Sequence, residues 1–355
     1  MSSRVRAIAP MLADATGTTL PVSLRHAVAE RAAAVDAGAE SPRRALRELA
    51  TAGLLTLGLP GRGGTIAVQA AVLAELAEVC MATAFCAWGH RMTLEYLATA
   101  GGDTLDSLAE LRLIGSSAMA GAFRAAAGLA PLSVRGRRDG GSLVLSGHIP
   151  WASNLYADSL ALLAADVEGE GPRILAVPVA TPGVDVRPAR GLLALEATAS
   201  GQLLLERARV ATAAVHPEPF EMFVARVRRP FLVLQSALCL GLARAALAAG
   251  GRLLDGLGGE FAGEHADLTA AHKRLDRTLV ALADDPEAPT RALLALRLEA
   301  AVLAREAVRV EAAVTGGRGY LAASPTARRL REAAFLPIQS PTEAHLRWEL
   351  RRAAA

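Results

Sequence analysis

The stretch GGRGY at residues 316–320 decides the fold when it is read with the segments that follow it. These are Ser324-Pro325, the basic segment RRLREA at 328–333 and the segment IQSPT at 338–342. Adjacent glycines are typical of a helix end, because glycine adopts the left-handed backbone that closes many helices. The stretch therefore predicts a helix that ends in glycines, a short turn, a basic helix and a loop bounded by proline.

The composition is that of a globular chain without an extended charged surface. Of the 355 residues, 52% are hydrophobic and 21% are charged, and the formal net charge is +3. This balance excludes a disordered chain. Aromatic residues make up 4% and no basic stripe is interleaved with them, unlike in many nucleic-acid-binding proteins. We therefore expect a large hydrophobic core and no nucleic-acid partner.

The cysteines and the apolar runs predict a reduced, cytoplasmic protein. Cys80, Cys86 and Cys239 form neither a C-x-x-C pair nor a metal-ligand pattern. The segment from residue 1 to 15 mixes charged residues into a short apolar run, unlike a signal peptide. Charged residues interrupt the longer apolar runs, so we expect no membrane-spanning helix.

Hydrophobic periodicity divides the chain into three parts. Residues 1–112 are predicted to be helical, with helices over 21–37, 41–52, 65–83 and 84–101. Residues 113–215 alternate in the manner of strands, and DGG at 139–141 predicts a hairpin turn. Residues 216–355 return to long helices over 220–257, 264–283 and 289–315, the first of them broken or begun afresh near Pro230. We predict three domains with these boundaries.

This order of parts, with the stretch 316–342, resembles the acyl-CoA dehydrogenase superfamily, of which the chain would be a divergent member. In that family a GG-x-GY turn leads to an R-D-A helix and an I-Y-E-G-T loop. The resemblance implies an α+β fold, with an N-terminal helical domain, a central antiparallel β-barrel or sandwich and a C-terminal bundle of the four-helix type. It also implies a homodimer or homotetramer.

The β part carries a second match, LSGHIPWASN at 145–154 followed by Ala157-Asp158, which is similar to the family's N-G-x-K-x-W-I-T-N segment. In the family the tryptophan and the hydroxyl residue contact the flavin. The resemblance therefore implies a flavin cofactor, FAD, with FMN or a weakly bound reduced flavin as alternatives. The residues expected to contact it are Trp151, Ser153, Ser117, Met119, Gly316, Gly317, Phe261 and Thr342.

Several family signals are missing. The T-E-P-x-x-G-S-D segment that holds the flavin pyrophosphate corresponds to residues 116–128, which contain neither its acidic residue nor its proline. The arginine of the R-x-x-F motif corresponds to Gly258, and the glutamine before the GG turn corresponds to Ala313. These changes indicate a cofactor site that differs from that of the family.

The catalytic glutamate of the family's loop is replaced by Ser340, whose hydroxyl is too weakly basic to remove an α-proton alone. Some family members carry the base on the first C-terminal helix, but residues 228–231 supply none. The candidates for catalytic residues are Ser340 itself, Glu343 about one helical turn further on, and His90 on an N-terminal helix. His345 and Glu332 are further titratable groups close to Ser340 in sequence.

Three functions are consistent with these residues. The first is a flavin-dependent oxidoreductase that acts on an acyl thioester or a similar small carbonyl compound with an atypical or missing base. The second is a flavin monooxygenase of the same fold, supplied with reduced flavin by a partner reductase. The third is a non-catalytic relative that binds a ligand or forms an oligomer. The resemblance also implies an electron-transfer or reductase partner for the enzymes.

Overall fold

The computed structural model of the protein describes residues 19–353. The segment 1–15, for which we expect no signal peptide, lies outside these residues. The helices are α1 (Val22–Asp36), α2 (Arg43–Thr51), α3 (Ile66–Val79), α4 (Met81–Leu97), α5 (Asp103–Ala109), α6 (Ala120–Ala126), α7 (Phe220–Gly251), α8 (Ala262–Asp284), α9 (Thr290–Thr315), α10 (Pro325–Phe335) and α11 (Glu343–Arg352). The strands are β1 (Ile114–Ser117), β2 (Val134–Asp139), β3 (Ser142–Ala152), β4 (Ser159–Val167), β5 (Gly171–Pro178), β6 (Val184–Pro188) and β7 (Gly201–Ala211).

A helical region, a sheet and a second helical region follow one another along the chain, which confirms the predicted fold class. The strands form one sheet in the order β1-β4-β2-β3-β7-β6, with β5 paired to β4. The predicted hairpin is present, since Asp139 pairs with Ser142 across the β2–β3 turn. Two pairs, β1–β4 and β2–β4, are parallel, whereas the sequence pattern predicted antiparallel strands throughout. Hairpin turns reveal only the pairing of strands that are neighbours in sequence, so these two pairs carried no local signal.

Helix α7 is the centre of the larger hydrophobic core. It continues unbroken through Pro230, where the sequence had predicted a break or a new start. A proline inside a helix removes a backbone hydrogen bond, at a cost of about 3 kcal/mol. The extensive burial of α7 offsets that cost. One 18-residue window of α7 is apolar enough to span a membrane by composition, with mean hydropathy 1.8, but 83% of that window is buried inside the protein.

Gly241 fixes how closely α7 approaches α3. A Cβ atom at this position would lie 2.1 Å from the backbone oxygen of Ala74. Such a distance is far inside van der Waals contact, so only glycine allows the two helices to pack at this separation. The contact anchors the C-terminal bundle to the N-terminal helices, and both contribute to the same core.

Candidate functional site

Trp151 lies near the end of β3 with 59% of its surface exposed, an unusual position for so large an aromatic side chain. The β3–β7 register shifts between Ile149 and Ala152, which marks an irregularity at Pro150 and Trp151. Bulges of this kind redirect side chains, and they accommodate proline, which cannot donate to the strand ladder. The indole is therefore an open aromatic surface beside the sheet.

Ser153 lies two residues further on and joins this surface to β1. The Ser116 hydroxyl donates to the Ser153 backbone oxygen at 2.6 Å. The Ser153 hydroxyl shares a hydrogen bond of 2.6 Å with Ser200 Oγ, which in turn lies 2.7 Å from Thr198 Oγ1. A chain of hydroxyl groups therefore begins two residues after Trp151.

The two predicted cofactor residues after Ser116 have different surroundings. The Ser117 hydroxyl is 2.9 Å from the Tyr96 hydroxyl, so it is already part of a hydrogen bond to α4. Met119 is fully buried and occupies the cap position before α6. The structure thus brings Ser117 into the same region as Ser153 through the neighbouring Ser116, whereas the Met119 side chain belongs to the hydrophobic core.

Five aromatic rings from four helices form a cluster that we call the aromatic cluster: Phe85, Trp88, Phe123, Phe231 and Phe335. Phe123, four residues after Met119, has its ring centroid 4.3 Å from that of Phe231 on α7. Trp88 lies 5.2 Å from Phe231 and is buried, yet its Nε1 has no hydrogen-bond partner within residues 19–353. Buried donors without an acceptor are uncommon and can indicate a missing ligand atom.

Ser340 is held through its backbone. Its carbonyl oxygen accepts a hydrogen bond of 2.8 Å from Gln235 Nε2 on α7. Gln235 Oε1 accepts in turn from Arg297 Nε at 3.2 Å. Arg297 is fully buried on α9 and also donates to the carbonyl of Leu336 and to Gln339 Oε1, each at 3.1 Å. These contacts fix the loop that carries Ser340.

Glu343 begins α11, and its carboxylate is paired with two arginines. Its carboxylate accepts from Arg305 at 2.6 Å and from Arg347 at 2.7 Å. The hydrogen bonds from Arg347, followed by the charge of Arg305, hold the pKa of Glu343 below its ordinary value. Thr342 caps the same helix, since its hydroxyl accepts from the His345 amide at 3.3 Å. Both side chains therefore have structural partners at the start of α11.

His90 is fully buried on α4 and accepts a hydrogen bond at Nδ1 from the Gly115 amide, 2.9 Å away. Burial lowers the pKa of His90 to about 4, so the ring is neutral at pH 7. Asn154 makes a parallel link, because its Nδ2 donates to the carbonyls of Cys86 and Gly115. Together His90 and Asn154 connect α4 to β1.

The remaining predicted cofactor residues lie at one end of the C-terminal bundle. Phe261 ends a 3-10 helix (Gly256–Phe261) directly before α8, and Gly316 and Gly317 follow the end of α9. Gly316 has φ +63°, and no atom lies within 4 Å of the place where its Cβ would stand. No hydrogen bond within residues 19–353 connects these three residues to Trp151 or Ser153. The structure thus places Trp151, Ser153 and Ser117 in one region and Phe261, Gly316 and Gly317 in another, while Met119 lies in the core and Thr342 caps α11.

Sequence reasoning missed Gln235, Arg297 and Asn154. Arg297 carried a signal, because it is a lone cation on the apolar face of α9, where an unpaired charge requires polar partners. Gln235 and Asn154 are ordinary polar residues whose partners lie 105 and 68 positions away along the chain. Their roles became visible only in the folded structure.

Comparison with known proteins identifies the fold. Residues 22–106 match the family model of the acyl-CoA dehydrogenase N-terminal domain. No match was found among curated proteins. Several solved structures match nearly the whole chain, among them FkbI for biosynthesis of the methoxymalonyl extender unit of the polyketide Fk520. FkbI is 23% identical, has a TM-score of 0.81 and covers 94% of this chain and 98% of its own.

Two further matches have similar extent. A glutaryl-CoA dehydrogenase from Mycobacterium smegmatis in complex with FADH2 is 17% identical, with a TM-score of 0.82 over 100% of this chain and 95% of its own. The prolyl acyl carrier protein oxidase AnaB is 18% identical, with a TM-score of 0.82 over 94% of this chain and 98% of its own. The protein has the acyl-CoA dehydrogenase fold, as the sequence resemblance predicted, and its residues 22–106 match the N-terminal domain of that family.

Proposed function

We propose that the protein is a flavin-dependent oxidoreductase that acts on an acyl thioester or a similar small carbonyl compound. The observation that carries the proposal is the exposed indole of Trp151, two residues before Ser153, whose hydroxyl is bonded to that of Ser200, in a chain with the acyl-CoA dehydrogenase fold. A flavin ring is flat and hydrogen-bonding, and an aromatic wall with adjacent hydroxyls suits it. We also propose that the protein is cytoplasmic and forms a homodimer or homotetramer.

The residues present fit the flavin ring better than they fit its phosphates. Trp151 would contact the ring, and Ser153 would exchange its hydrogen bond with Ser200 for one to the cofactor. Met119 is buried in the core, and the segment after it forms α6 without an acidic side chain. FAD is the cofactor we propose, with FMN or a weakly held reduced flavin as alternatives. When bound, the flavin would supply a two-electron acceptor or, once reduced, a reaction with oxygen.

A small acyl group suits the aromatic cluster. The rings of Phe123, Phe231 and Trp88 are buried and pack closely against one another, so we expect a short acyl group rather than a long chain beside them. The unpartnered Nε1 of Trp88 is a donor that a substrate carbonyl oxygen would satisfy. FkbI and AnaB have the same fold as this chain, and AnaB is named as an oxidase of a prolyl acyl carrier protein. We therefore propose testing carrier-protein thioesters beside coenzyme A thioesters.

Flavin binding is the direct test. Purified protein is titrated with FAD, FMN and their reduced forms, and binding is followed by flavin absorbance and fluorescence. Trp151→Ala should weaken flavin binding by about tenfold or more, because an aromatic contact and its buried area are worth ~1.5–3 kcal/mol. Trp348→Ala on α11, where the indole stacks on Arg352, is the matched control and should bind normally. The proposal is contradicted if the purified protein binds no flavin in either the oxidised or the reduced state.

A flavin monooxygenase is the second candidate. It is favoured because none of the candidate catalytic residues is an unpaired base. Ser340 presents a hydroxyl, Glu343 is paired with two arginines, and His90 is neutral with its acceptor nitrogen bonded. A monooxygenase needs no base to remove an α-proton. It should be isolated colourless, bind added reduced flavin, and consume oxygen when a reductase partner regenerates that flavin. An oxidoreductase that passes electrons to an electron-transfer partner should instead reduce an artificial acceptor without oxygen.

Ser340→Glu separates these alternatives. A well-placed general base contributes about 10²–10⁴-fold to a proton transfer. Under the first proposal the variant should gain dehydrogenation of a short acyl thioester, measured anaerobically by flavin bleaching. Ser340→Gln is the matched control and should gain nothing. Retained flavin without any such gain would favour the monooxygenase, and flavin-free protein with a folded core would favour a non-catalytic ligand-binding or oligomer-forming relative.

A further inference from the structure

Three side-chain hydroxyls are linked in a row from Ser153 through Ser200 to Thr198, and we call them the hydroxyl chain. The Ser153 and Ser200 oxygens are 2.6 Å apart, and the Ser200 and Thr198 oxygens are 2.7 Å apart. Thr198 Oγ1 also lies 2.7 Å from the backbone oxygen of Leu195. The hydroxyl chain therefore connects the half-buried Ser153, two residues after Trp151, to the buried residue Leu195.

The direction of each bond in the hydroxyl chain follows from counting protons, because a hydroxyl group has only one to donate. A carbonyl oxygen only accepts, so Thr198 donates its proton to Leu195. Thr198 is fully buried, and its proton has no access to solvent. Ser200 must then donate to Thr198, and Ser153 must donate to Ser200. The proton of Ser153 is therefore committed to Ser200.

The backbone around the hydroxyl chain holds it in place. The Asn154 amide donates to the Thr198 carbonyl at 2.9 Å. The Leu155 amide donates to the Ala199 carbonyl at 3.0 Å. Asn154, Leu195 and Ala199 have φ angles of 59°, 62° and 47°, which are costly for residues other than glycine. Backbone of this kind persists only where the surrounding contacts determine it, so the fold itself fixes the order of donors along the hydroxyl chain.

Ser153 therefore offers a ligand an acceptor and no proton. A hydroxyl oxygen has two acceptor lone pairs, and no other hydrogen bond within residues 19–353 reaches Ser153 Oγ. A ligand group that donates can bond to this oxygen while the hydroxyl chain stays intact. A ligand group that accepts must first draw the proton away from Ser200, at the cost of one hydrogen bond.

The two redox states of a flavin ring differ in this respect. The ring nitrogen N5 is an acceptor in the oxidised state, whereas in the reduced state it carries a hydrogen and donates. The hydrogen on N3 is present in both states and does not distinguish them. Hydrogen bonds to ring nitrogens are among the contacts through which a protein tunes a cofactor. An acceptor at Ser153 thus suits N5 of the reduced ring better than N5 of the oxidised ring.

We propose that the hydroxyl chain makes the site selective for reduced flavin, with Ser153 accepting a hydrogen bond from the N5 hydrogen. Ser200 and Thr198 are positioning residues, because they act only through the Ser153 proton. The inference rests on the proposed flavin site at Trp151 and Ser153. Tighter binding of the reduced form raises the midpoint potential of the bound flavin, by about 30 mV for each tenfold preference in a two-electron couple. A monooxygenase that receives reduced flavin from a partner reductase requires this selectivity.

Anaerobic calorimetry on the full-length protein, with oxidised and reduced FAD as the probes, tests the preference. The wild-type protein should bind the reduced form about threefold to tenfold more tightly, which is the net contribution of one hydrogen bond. Reduced 5-deaza-FAD carries carbon instead of nitrogen at position 5 and cannot donate there. Its reduced form should therefore bind no more tightly than its oxidised form.

Two substitutions release the Ser153 proton. Ser200→Ala removes the group that accepts it, and Thr198→Val keeps the shape of residue 198 while letting the Ser200 proton turn towards Ser153. Both variants should bind the two forms of FAD with affinities within about twofold of each other, and the midpoint potential of their bound flavin should fall accordingly. Ser133→Ala is the matched control, because it removes a hydroxyl that donates to the His148 carbonyl outside the hydroxyl chain.

A preference for reduced FAD that is lost in both variants and kept in Ser133→Ala supports the inference. Equal affinity of the wild-type protein for the two forms overturns it, and this comparison holds even where a variant does not fold. A preference that Ser200→Ala and Thr198→Val leave unchanged also overturns it. In these cases the proposed flavin site still stands, since flavin is bound. Protein that binds neither form overturns this inference and the proposed function together.

Discussion

Replacing Glu332 by glutamine should change how the stability of the protein depends on pH. Glu332 lies on α10 and is 3% exposed, and the one salt bridge it forms within residues 19–353 is with Arg328, whose Nε lies 3.7 Å away. The Met81 amide hydrogen-bonds to it, and Asp36 and Arg329 act on it from further away. Burial, the largest effect, raises the pKa of Glu332 from 4.5 to about 7. At 1.36 kcal/mol per pKa unit, this difference corresponds to about 3 kcal/mol.

The sign follows from which state binds the proton more tightly. Below pH 4.5 Glu332 is protonated in both the folded and the unfolded chain, so it costs nothing. Above pH 7 it is ionised in both states, and the folded protein bears the full cost of a buried charge. The contribution of Glu332 therefore destabilises the protein progressively as the pH rises from 4.5 to 7.

His90 acts in the opposite direction over nearly the same range. Its pKa is lowered from 6.5 to about 4, so the unfolded chain binds the proton more tightly. Stability is lost as the pH falls from 6.5 to 4, by about 3 kcal/mol in total. Burial also lowers the pKa values of His216 and His272, which adds to the histidine effect. In the wild-type protein, the glutamate effect thus opposes that of the histidines, and removing Glu332 exposes the histidine effect.

Urea unfolding at pH 5 and pH 8, followed by tryptophan fluorescence, measures the difference. Relative to wild type, Glu332→Gln should gain about 2.5 kcal/mol of unfolding free energy between pH 5 and pH 8. Glu299→Gln, at an exposed carboxylate paired with Arg274, is the control and should show no pH-dependent difference. The reasoning is refuted if the Glu332 variant and the wild type differ by the same amount at both pH values.

Three further substitutions test the packing and the candidate site. In the same urea assay, Gly241→Ala should lower the unfolding free energy by about 2 kcal/mol or more, because its Cβ would lie 2.1 Å from the Ala74 oxygen. Gly263→Ala is the control and should not destabilise α8, because no atom lies within 4 Å of its Cβ position. Arg297→Lys should cost about 2 kcal/mol by thermal unfolding, since lysine cannot replace the forked bonds that hold the Ser340 loop; an unchanged midpoint would show that those bonds do not matter. Glu343→Gln should change any flavin-dependent turnover by less than about threefold, and a loss of about 10²-fold or more would instead identify Glu343 as the base.

The fold was predictable because its signals are local. Turn glycines, strand alternation and the stretch 316–342 each depend on a few adjacent residues, and the structure contains the corresponding helices and strands. The errors have physical causes. The α3–α4 junction lies at Cys80 rather than near residue 83, because both neighbouring helices are apolar and no strong stop signal separates them. Pro230 did not end α7, because tertiary packing offsets the lost hydrogen bond.

The candidate site was predictable only in part. Trp151 and Ser153 could be proposed from the sequence because they lie within one short segment that resembles a family motif. The sequence could not show that the Glu343 carboxylate is paired with Arg305, 38 residues away. Nor could it show that His90 Nδ1 accepts a hydrogen bond from the Gly115 amide, 25 residues away. Such partners are brought together by the packing of elements, and no local pattern encodes them.

The contacts at the candidate site explain how the protein's own residues hold this part of the fold in place. The Ser340 carbonyl is bonded to Gln235, the Glu343 carboxylate to Arg305, and the Ser153 hydroxyl to Ser200. Each group thus has an internal partner, so the loop and the strand end are stable without a ligand. Trp151 and the Trp88 Nε1 differ, since the first is exposed and the second is buried without an acceptor. A bound flavin would cover the Trp151 indole, and a carbonyl compound would accept a hydrogen bond from Trp88 Nε1, without breaking any of these contacts. Glu343, by contrast, could act as a general base only after breaking its hydrogen bonds to Arg305 and Arg347.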